Sequence, residues 1–301
     1  MKSTSYKNVD IVTHERFVAQ YMDATTEVSV FQASEIQIYP LSIASSRIKL
    51  PTPLFRAEYS FLLLFSEGGG KQQVDNETLD LNPNDVLFIR EGHLNSIKSI
   101  DSNTNGYFIH INSVLLPQIF VDDTLLHHLT FHPKCSVSRS EMEWLCKCCE
   151  LILYQEKNNI YFKEIQSTLL KAVVLKLADT SATTLCRSDR QSEVTMSFKG
   201  LLHENFNKDR NVKFYADSLA ISENYLNRCV KHSTSKPPKQ HINEMVIANS
   251  KLLLQDRSKD ISQVAFKLNF SDPSYFGRLF KQLTKQTPTE YRNSFTQGLS
   301  G

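Results

Sequence analysis

Two stretches of this chain repeat one another. The first is Ala216-Asp-Ser-Leu219-Ala-Ile221-Ser222, followed by Glu223 to Lys231. The second is Ala265-Phe-Lys-Leu268-Asn-Phe270-Ser271, followed by Asp272 to Lys281. Ala216 and Ala265 lie 49 residues apart, whereas Arg228 and Arg278, Lys231 and Lys281, and Pro238 and Pro288 lie 50 apart. The one-residue difference falls at the start of the second helix of the later copy. A helix-turn-helix needs two short helices crossing steeply at a tight turn. Ala216 and Ala265 are small enough to permit that crossing, and Leu219 and Leu268, three residues on, share their helical face. Ile221 and Phe270 plug the turn. Ser222 and Ser271 are placed to cap the next helix by accepting from its orphan amides.

In each copy the second helix buries one stripe: Leu226 and Val230 in the first, Phe276, Leu279 and Phe280 in the second. Its opposite face is polar and free to enter a major groove. One such pattern is weak evidence, because many helical pairs contain Ala-x-x-Leu and a polar turn. Two copies in register are much stronger, and they occupy the basic end of the chain. Of 301 residues with net charge +2, the stretch from Met196 to Gly301 carries 16 Lys and Arg against 9 Asp and Glu. Its charge of +7 leaves −5 for the rest, so the basic excess sits at the C-terminal end and suits a polyanion there, although a basic surface alone is a weak signal.

The tract from Ile261 to Arg292 closely resembles the AraC/XylS family signature. The resemblance is carried by Val264-Ala265, Phe270, Tyr275-Phe276, Arg278-Leu279-Phe280-Lys281, Pro288 and Tyr291-Arg292, and it covers about 100 residues from Met196 onward. One departure is Asn269, where the family usually has Gly; Asn is the next most tolerant residue for a left-handed turn. The resemblance implies an all-α domain of about seven helices over 196–301, with helix-turn-helix units at about 212–233 and 261–285. A longer helix over Pro238–Leu254 would join them, and both recognition helices would enter adjacent major-groove segments on one DNA face.

Carried over by position, the first recognition helix presents Asn224, Tyr225, Asn227 and Arg228, and the second presents Pro273, Ser274, Gly277 and Arg278. Arg can pair with guanine O6/N7 and Asn with adenine N6/N7 in bidentate fashion. Lys231 and Lys281 read as phosphate contacts, which position without specifying. Pro273 and Gly277 offer little hydrogen-bonding chemistry, so the first unit is expected to carry more base readout. For Arg228 and Arg278 the competing reading is a solvated or acid-paired side chain, and for Tyr225 it is packing.

The N-terminal region reads as β. Ala57–Ser66, Val86–Arg90 and Gly106–Asn112 are strand candidates separated by Gly68-Gly69-Gly70, Asn82-Pro-Asn-Asp85 and Glu91-Gly92. Glu141–Gln155 and Ile160–Ala178 then carry apolar residues at helical spacing. Those apolar faces serve equally for packing on the strands or for a dimer contact. The strand pattern, the Pro83-Asn-Asp85 turn and the Arg90-Glu-Gly92 stop resemble the cupin-like effector domain of many family members. The expected fold is therefore α+β multidomain. A cupin-like β-barrel at about 20–112 with helices at 115–180 forms an effector-sensing or dimerisation domain over 1–180, and a polar linker at 181–195 precedes the DNA-binding domain.

Enzymatic cupins hold a metal with His-x-His and Glu, and no His-x-His occurs here. His93 and His110 stand alone. His128 and His132 share a helix face without an evident third ligand. Cys146, Cys148 and Cys149 lack Cys-x-x-Cys spacing and a matching pair, so they read as packing. No catalytic residue, metal site or cofactor is expected, which leaves a cupin enzyme with an accessory DNA-binding domain as the weaker alternative. The N-terminus shows no signal peptide, and the longest apolar runs fall well short of the roughly 20 residues a span needs. The expectation is a cytoplasmic regulator that binds double-stranded promoter DNA, an activator rather than a repressor. Its expected partners are a second copy of itself, RNA polymerase and a small-molecule effector. A regulator whose N-terminal region only dimerises stays open beside it; a cavity in that region would favour the effector reading, and a solid core would favour the other.

Overall fold

The computed structural model describes residues 11–23, 35–120, 123–155, 160–185 and 190–297. The chain divides into two compact units, one from Ile11 to Arg187 and one from Ser188 to Gly301.

The first unit is built on two five-stranded sheets and carries the short helices α1 (His14–Tyr21), α2 (Leu41–Ser45), α3 (Leu116–Ile119) and α4 (Asp123–Phe131). One has the order β1 (Ile11–Val12), β3 (Phe55–Ala57), β8 (Leu94–Ile100), β5 (Gly70–Val74), β6 (Glu77–Leu81). The other has the order β10 (Lys134–Ser136), β7 (Asp85–Ile89), β4 (Ser60–Glu67), β9 (Asn105–Ile111), β2 (Ile36–Pro40). Among the described residues the strands thus pair into two separate sheets rather than into one closed barrel. The expectation of a cupin-like β-barrel is corrected to that extent.

Strand β4 shows why the second sheet sits centrally. Its run Phe61–Phe65 is apolar at every position, which suits a strand buried on both faces. Phe61, Leu63 and Phe65 join one cluster with Phe55, Val74 and Leu81 of the first sheet. Leu62 and Leu64 turn the other way, into a cluster with the helices α5 (Arg139–Leu153) and α6 (Phe162–Leu185). There they meet Leu145, Cys149, Leu170 and Val173. Helix α5 begins at a capping box in which the Ser138 hydroxyl accepts from the Glu141 amide and the Glu141 carboxylate accepts from the Ser138 amide. Cys148 and Cys149 are buried in this second core. Burial pushes the Cys146 thiol up to about 11 and that of Cys149 well above its ordinary value, so these thiols stay protonated. Cys186 lies outside the described residues.

The expected linker at 181–195 is shorter than its composition suggests. Helix α6 continues to Leu185 and the next helix starts at Arg190. Ser and Thr weaken a helix only slightly, and here their hydroxyls bond back into it, as Thr180 does to the Lys176 carbonyl at 3.0 Å and Thr195 to the Gln191 carbonyl at 2.8 Å.

The second unit is helical. It comprises α7 (Arg190–Asn205), α8 (Val212–Ser218), α9 (Glu223–Thr234), α10 (Pro238–Gln255), α11 (Ile261–Lys267), α12 (Pro273–Thr284) and α13 (Pro288–Gln297). One core holds it together, with Phe198, Tyr215, Leu226, Val246, Phe276 and Phe280 all fully buried. Helix α10 runs through the middle and buries residues on several sides, among them Ile242, Val246, Leu253 and Leu254. Among the described residues of both units, no helix is long and apolar enough to cross a membrane.

Candidate nucleic-acid interface

The sequence repeat is a structural repeat down to single hydrogen bonds. Helix α8 ends where the Ile221 amide donates to the Ala216 carbonyl at 3.1 Å and the Ala220 amide to that of Asp217 at 3.0 Å. Helix α11 ends the same way, with Phe270 donating to Ala265 at 3.0 Å and Asn269 to Phe266 at 3.0 Å. This is the Schellman pattern, which requires a left-handed residue just past the helix. Ala220 and Asn269 fill that place with φ of 53° and 59°. Ala216 and Ala265 are fully buried at the crossings, as the need for a small residue there predicts. Leu268 and Phe270 are buried, while Leu219 and Ile221 are partly buried against the same core.

The caps differ, and the difference explains the extra residue. The Ser222 hydroxyl accepts from the Tyr225 amide at 3.2 Å, as expected. In the second copy the cap is Asp272, not Ser271. Its carboxylate accepts from the Ser274 amide at 2.8 Å and the Tyr275 amide at 3.2 Å. The bond from Ser274 holds the Asp272 acid below its usual range, with Arg278 a lesser contributor. The inserted residue moves the helix start by one place, so the capping role passes to the next side chain able to accept. From there on the two recognition helices run in register at a separation of 50 residues. They end alike, at left-handed Ser235 and Lys285, each preceded by a threonine whose hydroxyl bonds back to the helix.

That register fixes one face on each helix. On α9, Asn224, Arg228 and Lys231 are exposed, with Tyr225 and Asn227 half-buried. On α12, Ser274, Arg278 and Lys281 are exposed, with Pro273 and Gly277 half-buried. The opposite stripes, Leu226 and Val230 on α9 and Phe276, Leu279 and Phe280 on α12, are in the core. The arginines are held differently. The Arg228 guanidinium lies 5.1 Å from the centre of the Tyr225 ring, and the Arg278 guanidinium approaches the exposed Asp272 carboxylate at 3.8 Å. Asn227 donates its side-chain amide to the Glu223 carbonyl at 2.9 Å within its own helix. Gly277 faces open space, since a Cβ built there meets nothing within 4 Å. The structure adds Tyr275, which is 44% exposed beside Ser274. The 50-residue register alone pairs it with Tyr225, and that signal was available in the sequence.

The N-terminal unit holds a second candidate site, a cavity of about 630 Å³. Its walls are chiefly apolar and aromatic, with Phe17, Phe55, Phe61 and Phe108 among them, and Arg47 is the one Lys, Arg, Asp or Glu on its described lining. Neutral polar groups interrupt the walls: the Tyr39 hydroxyl donates to the Gln37 side chain, and the Gln72 amide donates to Asn95. His14, Tyr39 and Phe108 form a three-ring cluster with centres 5.6 to 6.0 Å apart, and the His14 ring also lies 5.1 Å from that of His110. Burial drives His14 down to about 3, with His110 as a second cause, and drives His110 itself down to about 4. Both imidazoles are therefore neutral at physiological pH. His93 lies against Asp75 at 2.8 Å, and His128 and His132 pack ring to ring at 5.1 Å.

Residues 215–294 match the family model described as a helix-turn-helix domain. The chain is 23% identical over 265 residues to the HTH-type transcriptional activator RhaR of Mannheimia succiniciproducens, covering 85% of this chain and 92% of that one. It is 22% identical over 252 residues to the HTH-type transcriptional activator RhaS of the same organism, covering 78% and 87%. Among solved structures, ToxT of Vibrio cholerae aligns over 85% of this chain and 97% of its own at 16% identity, with a TM-score of 0.41.

Proposed function

From the premise that this chain is an AraC/XylS-family DNA-binding regulator of transcription, we propose that it reads promoter DNA with α9 and α12 placed in successive major-groove segments. The observation that carries this reading is the shared register. Two helices present matched polar faces, Asn224/Ser274, Arg228/Arg278 and Lys231/Lys281, over matched buried stripes. Two such helices on one compact unit suit segments one helical turn apart, about 34 Å. Arg228, Asn224 and Tyr225 serve base readout, Lys231 and Lys281 serve the phosphates, and Ser274, Gly277 and Arg278 let the second helix approach with fewer base-specific groups.

The protein acts as an activator, without enzymatic activity, in the cytoplasm where its DNA lies. The cavity supports control by a small molecule, since its volume falls in the range of ordinary ligand sites and its walls are apolar with few polar groups. Binding there would shift the balance between arrangements of the chain and so change which DNA segments can be held together. Exposed Trp144 and Leu151, seven residues apart on α5, support pairing with a second copy through the N-terminal unit.

The test is to select fragments from a randomised DNA pool with the full chain and footprint the winners. Two protected segments on one face, one turn apart, are expected. One short protected segment, or no enrichment, overturns the reading.

A further inference from the structure

Helix α10 connects the two helix-turn-helix pairs along its axis, and both pairs pack into one core. A second connection runs off that axis. The loop between α7 and α8 reaches the turn of the second pair, 59 residues away, where Arg210 donates through Nη2 to the Asn269 carbonyl at 3.0 Å. The same guanidinium lies over Phe270, its carbon 3.7 Å from the ring centre, a close cation–π contact. In return the Asn269 side-chain amide donates to the Lys208 carbonyl at 2.7 Å. Lys239, at the start of α10, donates to the Arg210 carbonyl at 2.8 Å. Asp209, between Lys208 and Arg210, accepts from the Tyr215 hydroxyl at its carbonyl at 2.8 Å, which ties the loop down onto α8. The loop is thus bonded to the first pair, to the connecting helix and to the turn of the second pair.

Asn269 is a suitable residue for both of its tasks. Its φ of 59° is the left-handed value the Schellman turn demands. Glycine meets that demand at lower cost, but it has no side chain to return a bond to Lys208. The asparagine therefore supplies something the turn alone does not need.

Resting on the two-helix reading of DNA above, we infer that Arg210 and Asn269 form a clamp that fixes the setting of α9 relative to α12 and thereby determines the DNA spacing the protein accepts. They are positioning residues, since neither belongs to the proposed DNA face.

The variant that tests this is Asn269→Gly, which keeps the turn and removes the return bond; Arg210→Ala removes the other half. The first readout needs no DNA. Spin labels on His232→Cys and Gln282→Cys, at exposed positions of α9 and α12, report the distance between the helices in the full chain once Cys135, Cys146 and Cys186 are replaced by Ser. The wild-type background is expected to give one narrow distribution, and each clamp variant a broader one. The second readout uses a fragment selected by the wild-type chain and the same fragment with one base pair inserted between its two segments. The wild type is expected to lose at least tenfold in affinity on insertion, and the clamp variants threefold or less. A distance distribution unchanged in both variants overturns the clamp, whatever the DNA shows. A broadened distribution with an undiminished insertion penalty overturns its role in spacing. If the wild type selects no DNA at all, the functional reading fails, and the distance measurement still decides the clamp.

Discussion

Arg228 stands one turn beyond Tyr225 on α9, with its guanidinium carbon 5.1 Å from the centre of the tyrosine ring. The contact restrains the arginine without using its hydrogen-bond donors. A pre-set guanidinium with free donors suits bidentate contact to guanine. Arg228→Ala is expected to cost about 1–3 kcal/mol on the selected site and to relax the preference at one base position. Lys231→Ala is expected to weaken all DNA alike and to lower the slope of log affinity against log salt by about 1. Competition binding of both variants to the selected fragment and its single-base variants checks this. Loss of affinity for Arg228→Ala that is the same on every sequence would reassign it to the phosphates.

Gly277 separates stability from binding. It sits in the middle of α12 with nothing within 4 Å of a built Cβ. Gly277→Ala should therefore stabilise the domain by up to about 1 kcal/mol through helix propensity. If this face meets DNA closely, the same methyl group weakens binding. A higher melting temperature with at least a fivefold lower affinity is the expected pair of results. A variant that is more stable and binds as well as the wild type would remove Gly277 from the interface.

Ala220 takes a left-handed φ of 53° at the turn of the first pair. The Cβ in that conformation costs roughly 1–2 kcal/mol, and glycine returns part of this to unfolded-chain entropy. Ala220→Gly is expected to raise stability by about 0.5–1 kcal/mol, measured by denaturant unfolding with an unchanged m-value. The equivalent change at Asn269 removes a hydrogen bond as well, so its gain should be smaller.

Acid should weaken the N-terminal unit before its carboxylates titrate. Burial holds His14 at about 3 and His110 at about 4 in the folded protein, against about 6.5 unfolded. Their folded values are depressed, so their contribution is fully present above pH ~6.5, falls as the unfolded chain takes up protons, and levels off below the folded values. Stability should therefore drop between pH ~6.5 and ~4, with a slope of up to about 1.4 kcal/mol per pH unit for each histidine. Unfolding at a series of pH values checks the sign. Replacing His14 with a neutral aromatic residue should flatten the slope.

The helical unit was far more legible in the sequence than the sheet unit. The Ala-x-x-Leu pairs, the Pro238/Pro288 starts and the Arg228/Arg278 spacing are local features, and local features set helices, turns and faces. The sequence points to Ser271 as the cap of α12 because the insertion can be placed on either side of it; only the bonds from Ser274 and Tyr275 to Asp272 decide. The continuous apolar run of β4 indicates burial on both faces but does not name the partners. The pairing of Leu62 with both Phe88 and Ile109 is a matter of tertiary order, and so are the division into two sheets and the cavity between their side chains. The tie from Arg210 to Asn269 spans 59 residues, beyond the reach of any periodicity.

Whether this chain is a sequence-specific regulator is decided by binding of the purified full chain to DNA from its own upstream region across a salt series, against unrelated DNA of equal length. Saturable preference for one fragment, at least ~10³-fold at physiological salt, with affinity falling steeply as salt rises, is the expected result. Weak and equal binding to every fragment would place the target site elsewhere or require an effector, whereas no binding to any DNA even at low salt would overturn the DNA-binding reading.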